Sequence, residues 1–355
     1  MADLSVSVGR HGIRANLIRV ANPGEHSPVG KRASHLRYLV TVLCATFTTS
    51  PAFTQIPIHT QRPDTPYVIS VHVNMVVLHL TVLDRKNASV TGLGKENFQI
   101  LEDGVPQQVK YFSHEDIPIT VGLVIDNSGS MRPKRSEVIA AALAFARSSN
   151  PRDQYFVVNF NEKVSFALPV KTPFTDNVAQ LEVALSRVAA TGETALYDAI
   201  DVALDQLSKG DRDKKVLVIV SDGGDNASKH KLEAMLAKAK RSDAIIYSIG
   251  IFDAQDGDRN PHVLKRFAEE TGGETFLPES VKEVVPICER IARDIRSQYT
   301  LAYVPVNTRQ DGTYRAVQVR ANTTGQRLSV RTRGGYFAPE APTSPAATGM
   351  TDEPR

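Results

Sequence analysis

The chain has 355 residues, 41% hydrophobic and 23% charged, long enough for two compact units with tails and too apolar for general disorder. It has no Trp, and two cysteines, Cys44 and Cys288, are too few for a disulfide scaffold or a zinc ribbon. Residues 1–54 carry six Lys/Arg and two acids, so the formal +3 divides into +4 there and −1 elsewhere, which removes the main electrostatic argument for a nucleic-acid partner.

At the N-terminus the basic cluster Lys31, Arg32 and Arg37 runs into the apolar stretch YLVTVLCATF (38–47) and then the small-residue segment TTSPAFTQ. That order is the layout of a secretory signal, with cleavage expected before Gln55, although the leader ahead of it is long. The apolar run is short of the ~20 residues of a bilayer span, so no stable membrane span is expected after cleavage. An uncleaved anchor and a buried core segment are the alternatives; a lipid anchor at Cys44 is disfavoured by the large Leu43 before it. The mature chain is therefore expected to be secreted or periplasmic, with Cys288 its remaining thiol. Cys288 falls in the helical stripe Val281, Val284, Val285, Cys288, Ile291, Ile295 and reads as core.

Residues 55–67 are Pro-rich and polar, a linker. Residues 68–83 alternate as a strand, with an apolar parity switch at 76–78 that fits either a bulge or a strand covered on both faces. Residues 98–102, the turn Asp103-Gly104 and residues 108–112 predict a hairpin. From Ile119 the texture changes: ITVGLVID is a continuous apolar run ending in a carboxylate, as in a strand buried on both faces. Helices are expected at 133–147, 178–188, 195–207, 231–241, 262–271 and 281–296, with strands at 153–161, 163–169, 215–220, 244–251 and 274–277. This alternation predicts an α/β fold with a doubly wound, mainly parallel sheet and its ligands at the strand C-termini. After Ser297 period two returns, and three more strands are expected up to 338. Too few for a core of their own, they are expected to join 68–114 in one β-sandwich around the α/β unit of 115–297, leaving 339–355 as a disordered tail.

The chemistry concentrates in VIDNSGSMR, which sets Asp126, Ser128 and Ser130 directly after a buried strand, on a tight loop facing one point. One carboxylate with two hydroxyls is a hard-oxygen set suited to Mg²⁺, Mn²⁺ or Ca²⁺, and it lacks the N/S ligands that Zn²⁺ favours. TGETALYDA adds Thr194 just before an amphipathic helix, and VLVIVSDGGDN puts Asp222 after another buried strand, so both emerge at the same sheet edge. Taken singly, Asp126 reads as a loop cap, Thr194 as a helix N-cap and Asp222 as a turn former. Asp225, on the same loop as Asp222, is either a support for the ligands or a solvated turn residue. The acidic run 253–258 looks like a calcium loop, but the position for a bidentate Glu falls on Leu264, which rejects it.

These three segments, in this order and context, resemble the metal-ion-dependent adhesion site of von Willebrand factor A domains over about 115–297. The segments VTGLGKENFQILEDGVPQQVKYFS and YTLAYVP…DGTYRAVQVR…RTRGGYF resemble the β regions around such a domain in secreted bacterial proteins, which extends the likeness to about 68–338. The resemblance implies a metal-dependent protein-binding or adhesion module rather than an enzyme. It implies that Ser128 and Ser130 bind the cation directly and that Asp126 acts mostly through water and as acceptor for those hydroxyls. Thr194 and Asp222 would alternate between direct and water-mediated contact, and an Asp or Glu of a partner would take the last position. Two other classes remain for comparison: a Mg²⁺-dependent hydrolase, and a structural envelope protein without functional metal. The DNSGS loop superficially resembles that of aspartyl phosphatases, but their second carboxylate would fall where Ser128 stands, and no G-x-S-x-G elbow, P-loop or Cys/His pair appears.

Overall fold

The computed structural model describes residues 4–9, 12–17, 75–187, 189–252, 259–323 and 326–340. Leu4–Gly9 and Gly12–Leu17 pair as a two-stranded sheet. The expected signal run and its cleavage point, the linker, Cys44, the loop 253–258 and the tail beyond 340 lie outside the described residues. Among the described residues no helix is long and apolar enough to cross a membrane.

The α/β unit is built on strands β5 (Ile119–Asp126), β6 (Gln154–Phe160), β7 (Val164–Phe166), β8 (Lys214–Ser221), β9 (Ala244–Gly250) and β10 (Thr275–Phe276). Their order is β10-β9-β8-β5-β6-β7, parallel throughout except for the β6–β7 hairpin. All eight residues of β5 are buried, as a central strand covered on both faces requires. One face packs Val121, Leu123 and Ile125 against α1 (Arg135–Ser148) and α6 (Val284–Arg296). The other packs Val124, Phe156 and Val158 against α3 (Leu196–Ser208), α4 (Leu232–Arg241) and α5 (Pro261–Thr271). The remaining helix of this unit, α2 (Val178–Ser186), is capped by Asn177, whose side chain accepts from Ala179 and Gln180 N–H. Cys288 is buried within α6, and burial pushes its thiol up to about 12, so it is core and chemically quiet.

From β5 the chain winds to β6 on one side, and later from β8 to β9 and β10 on the other. The winding direction therefore reverses between β5 and β8, the position where open α/β sheets place their ligands.

Two antiparallel sheets flank this unit. In one, β14 (Ser329–Arg331), β1 (Val76–Leu83), β11 (Tyr299–Tyr303) and β4 (Val109–Ser113) lie side by side. In the other, β13 (Gln326–Arg327), β12 (Tyr314–Thr323), β2 (Phe98–Glu102) and β3 (Val105–Gln107) do so, with β15 (Gly335–Phe337) also on β12. Leu78, Leu80, Ile100, Tyr299, Leu301 and Val319, from both sheets and from both ends of the chain, share one apolar cluster. The chain leaves for the α/β unit after Ser113 and returns at Tyr299 on an adjacent strand, Thr300 pairing with Ser113.

Three local expectations need correction. The strand after the Asp103-Gly104 turn does not continue as a hairpin partner to residue 112: Val105–Gln107 stays beside β2, and Val109–Ser113 crosses to the other sheet beside β11. Gln107 and Val109 are both buried with Gln108 exposed between them, and the Gln107 carboxamide accepts the Val306 N–H at 3.0 Å, which anchors the crossing. Pro133 does not open α1 but lies inside a 3₁₀ helix, Gly129–Lys134, that tightens the loop after β5. The last helix likewise starts with a 3₁₀ turn, Val281–Glu283, before α6. In β1 both faces are covered over its second half, where Leu80, Thr81, Val82 and Leu83 are all buried; the strand starts at Val76, and residues 68–74 lie outside the described residues.

Candidate metal site

The register of β5 and β8 pairs Ile125 with Val220, so the next residues, Asp126 and Ser221, end side by side at the point of reversal. Both are buried. The Ser221 hydroxyl donates to Asp126 Oδ2 at 2.6 Å, and the Ser128 backbone N–H donates to Asp126 Oδ1 at 2.8 Å. One residue beyond Ser221 stands Asp222, whose Oδ2 accepts the Ser130 hydroxyl at 2.6 Å. The Ser128 and Ser130 hydroxyls are in turn 3.1 Å apart. Asp126, Ser128, Ser130 and Asp222 thus form one cluster of oxygens across the two strand ends.

Thr194 comes to the same edge by backbone lacing. Gly129 N–H donates to Gly192 O at 3.0 Å and Thr191 N–H to Asn127 O at 2.9 Å, joining the serine loop to the threonine loop. Asn226 then accepts the Thr194 N–H at 2.8 Å while its own N–H and that of Ala227 donate to Thr194 O. Thr194 is buried, and its hydroxyl stays outside the hydrogen-bond chain of the other four. The edge opens to solvent at the exposed Gly129 and the half-buried Ser130.

Asp225 stands as a support and not as a solvated turn residue. Its Oδ1 accepts the Tyr197 N–H at 3.2 Å and the Ser228 hydroxyl at 2.5 Å, so it satisfies the first turn of α3, which Ala195 cannot cap. It fixes the helix that follows Thr194. The Ser130 hydroxyl, expected on Asp126, goes to Asp222, and Ser221 donates to Asp126 from the neighbouring strand. Ser221, Asn226 and Asn127 are the supports that sequence reading missed. Asn127 donates to Ile125 O and to Asn159 Oδ1, both at 3.0 Å, and receives Arg135. The only available signal for Ser221 was a hydroxyl ending an otherwise apolar strand.

Gly223 must be glycine on two counts. Its φ is +77°, and a Cβ there would meet Asn260 O at 2.3 Å, because the loop after β8 turns back against the start of α5.

The electrostatics suit a dication. Burial pushes the Asp126 carboxyl up to about 6, and the neighbouring Asp222 charge adds to it, against the hydrogen bonds from Ser128 and Ser221. Two neighbouring carboxylates, with three hydroxyls and no imidazole or thiol, match the hard-oxygen donor set of Mg²⁺ or Mn²⁺. Among the described residues no group of three or more His, Cys, Asp and Glu side chains is placed to hold a metal; here two carboxylates stand with hydroxyls.

Residues 121–224 match the model of the von Willebrand factor type A domain. An uncharacterised protein of Synechocystis sp. is 25% identical over 175 residues, 48% of this chain and 40% of that relative, so the match spans less than half of the relative's length. A von Willebrand factor type A structure from Catenulispora acidiphila is 14% identical, covers 76% of this chain and 74% of its own, and superposes with a TM-score of 0.45. Proximal thread matrix protein 1 from the mussel byssus, in a structure with a zinc-occupied metal-ion-dependent adhesion motif, is 15% identical over 51% of this chain and 48% of its own, at a TM-score of 0.42.

Proposed function

We propose, from the premise that this chain carries a von Willebrand factor type A domain, that it is an exported binding module that captures a protein partner through a divalent cation. Ser128, Ser130 and Asp126 would hold the cation together with Thr194 and Asp222. The bound ion supplies a hard, positively charged coordination point for an incoming Asp or Glu side chain. The single observation that carries this reading is the convergence of Asp126 and Asp222 at the reversal point, with the Ser128–Ser130 hydroxyls between them.

The chain's own residues do the rest. Asn226 and Asp225 hold the Thr194 loop and α3 in place, and Asn127 braces the serine loop. Gly129 and Ser130 leave the approach open. The signal-like segment ahead of Gln55 supports export, in which case the partner is met outside the cytoplasm.

The experiment is capture from the native secretome on the immobilised chain, in saturating Mg²⁺ against EDTA. A partner retained only with the cation, and lost from Asp222→Ala, supports the reading; a partner retained equally in EDTA removes the metal from it. N-terminal sequencing of the native chain should begin near Gln55, and a start at Ala2 would contradict export by cleavage.

A further inference from the structure

Beside the metal site runs an open groove of about 510 Å³ lined by Arg132, Arg135 and Arg187 with Ser186, Ala190 and Thr191 among its walls, and no carboxylate. We propose that this groove receives a second acidic side chain of the same partner, so that the recognised element is a short extended segment with two carboxylates two or three residues apart. It rests on the metal reading above and narrows it from any carboxylate to a spaced pair.

The three arginines are not equivalent. Arg135 is committed to the protein: it donates to Asn127 Oδ1 and, at 2.9 Å, to Leu185 O. Arg132 commits one nitrogen, Nε, to Ala190 O at 3.2 Å, which fixes its stem against the groove wall. The two terminal nitrogens of Arg132, and the whole Arg187 guanidinium, have no hydrogen bond or ion pair among the described residues. Both side chains are exposed. The rest of the chain after residue 54 carries a net charge of −1, so this patch stands out against a nearly neutral body. Glu162 and Glu193, acids on the neighbouring loops, do not line the groove.

The groove and the metal site share their loops. Arg132 follows Ser130 by two residues, and Thr191 precedes Thr194 by three; Thr191 N–H is bonded to Asn127 O at 2.9 Å. At ~3.3–3.6 Å per residue those separations are no more than roughly 7–11 Å. An extended peptide covers the same span in two or three residues. A segment with one carboxylate at the cation therefore delivers a side chain two or three positions away to the Arg132 and Arg187 guanidiniums, whose planar donor forks match a carboxylate in two parallel hydrogen bonds.

The test uses the full chain and three synthetic peptides: Gly-Asp-Gly-Gly-Asp-Gly, its second-Asp→Asn counterpart, and a version with phosphoserine in the second position. Affinities are read in 1 mM Mn²⁺ and in EDTA, at two salt concentrations. The two-acid peptide should bind about three- to tenfold more tightly than the one-acid peptide in Mn²⁺, the range that one or two exposed charge-assisted pairs supply. That advantage should shrink at the higher salt. It should disappear in Arg132→Gln/Arg187→Gln while the Mn²⁺ affinity of that variant is unchanged. Arg187→Gln alone breaks no hydrogen bond of the fold and should remove part of it.

Equal binding of the two peptides, or no binding by either while Mn²⁺ binds normally, overturns the second subsite and leaves the metal reading standing. An advantage that survives the double variant also overturns it. Failure to bind Mn²⁺, or one-acid binding unchanged by EDTA, overturns the metal reading and the groove with it. A phosphoserine peptide more than tenfold tighter than the two-acid peptide replaces the carboxylate by a phosphorylated partner.

Discussion

Ser221 donates its hydroxyl to Asp126 at 2.6 Å, from a strand that the sheet register places one step beyond the Val220–Ile125 pair. The bond also fixes the loop behind it, since Gly223 N–H donates to the same Ser221 oxygen at 3.0 Å. The carboxylate at the base of the site is thus held by the neighbouring strand and not by its own loop alone.

Ser221→Ala should lower unfolding stability by about 1–3 kcal/mol, the cost of leaving a buried carboxylate oxygen and a buried N–H without their partner. Saturating Mn²⁺ should recover part of that loss, because a ligand that binds only the folded state stabilises it by mass action. Urea denaturation of both proteins with and without Mn²⁺ measures this; stability equal to wild type without metal would show that the bond does not hold the site.

Ser130→Ala and Thr194→Ala should separate two roles. Ser130 bridges Ser128 and Asp222, so its loss should weaken Mn²⁺ and partner binding together. Thr194 stands outside that chain, and its loss should weaken the partner by about tenfold, or ~1.4 kcal/mol, with less effect on Mn²⁺. If Asp222 moves into direct contact when the Thr194 hydroxyl is gone, the cation is more neutralised and attracts a carboxylate less. Equal losses of metal and partner affinity in Thr194→Ala would argue for a static site.

The motif residues were legible because each hangs on a strongly patterned element. ITVGLVID and VLVIVS are apolar enough to be buried strands, and a carboxylate directly after such a strand has to emerge at the sheet edge. The alternation of strands and helices read equally well for the same reason. What did not read were contacts fixed by register between distant strands, such as Ser221 with Asp126, and backbone partners such as Asn226 with Thr194. How Asp225 acts did not read either, because a helix start capped by a residue 28 positions away leaves no local signature. The split at Gln107–Val109 was hidden because two buried residues flanking one exposed residue preserve strand periodicity while the chain changes sheets.

A fragment of 115–297 should fold alone, whereas 298–355 should not. The α/β unit has its own two apolar layers. In the flank, β11 is sandwiched between β1 and β4, and Leu301 packs with Leu78 and Ile100, so removing 68–114 strips β11 of both neighbours. Circular dichroism and thermal melts of the two fragments decide it. Cooperative unfolding of isolated 298–355 would contradict a shared flank.

His79 should work against stability on mild acidification. Its ring lies 3.1 Å from the Thr300 hydroxyl, and burial, then the Lys214 and Arg333 charges, push its pKa down from 6.5 to about 3. The unfolded chain therefore binds more protons than the folded one between those values, and stability is lost as pH falls through that window. Asp153 and Asp126, both pushed up to about 6 chiefly by burial, act in the opposite direction below pH 6, so the informative quantity is the difference between variant and wild type. Between pH 6.5 and 5 the urea midpoint of the wild type should fall more, or rise less, than that of His79→Gln. Superimposable pH profiles would contradict a neutral His79.

The most direct measurement is a calorimetric titration of Mn²⁺ into the wild-type chain and into Asp126→Ala, with circular dichroism on both. Weak, saturable binding by the wild type that vanishes in a variant of unchanged fold is the predicted result. Unchanged Mn²⁺ affinity in Asp126→Ala, or no binding by the wild type, would contradict a metal site at the ends of β5 and β8.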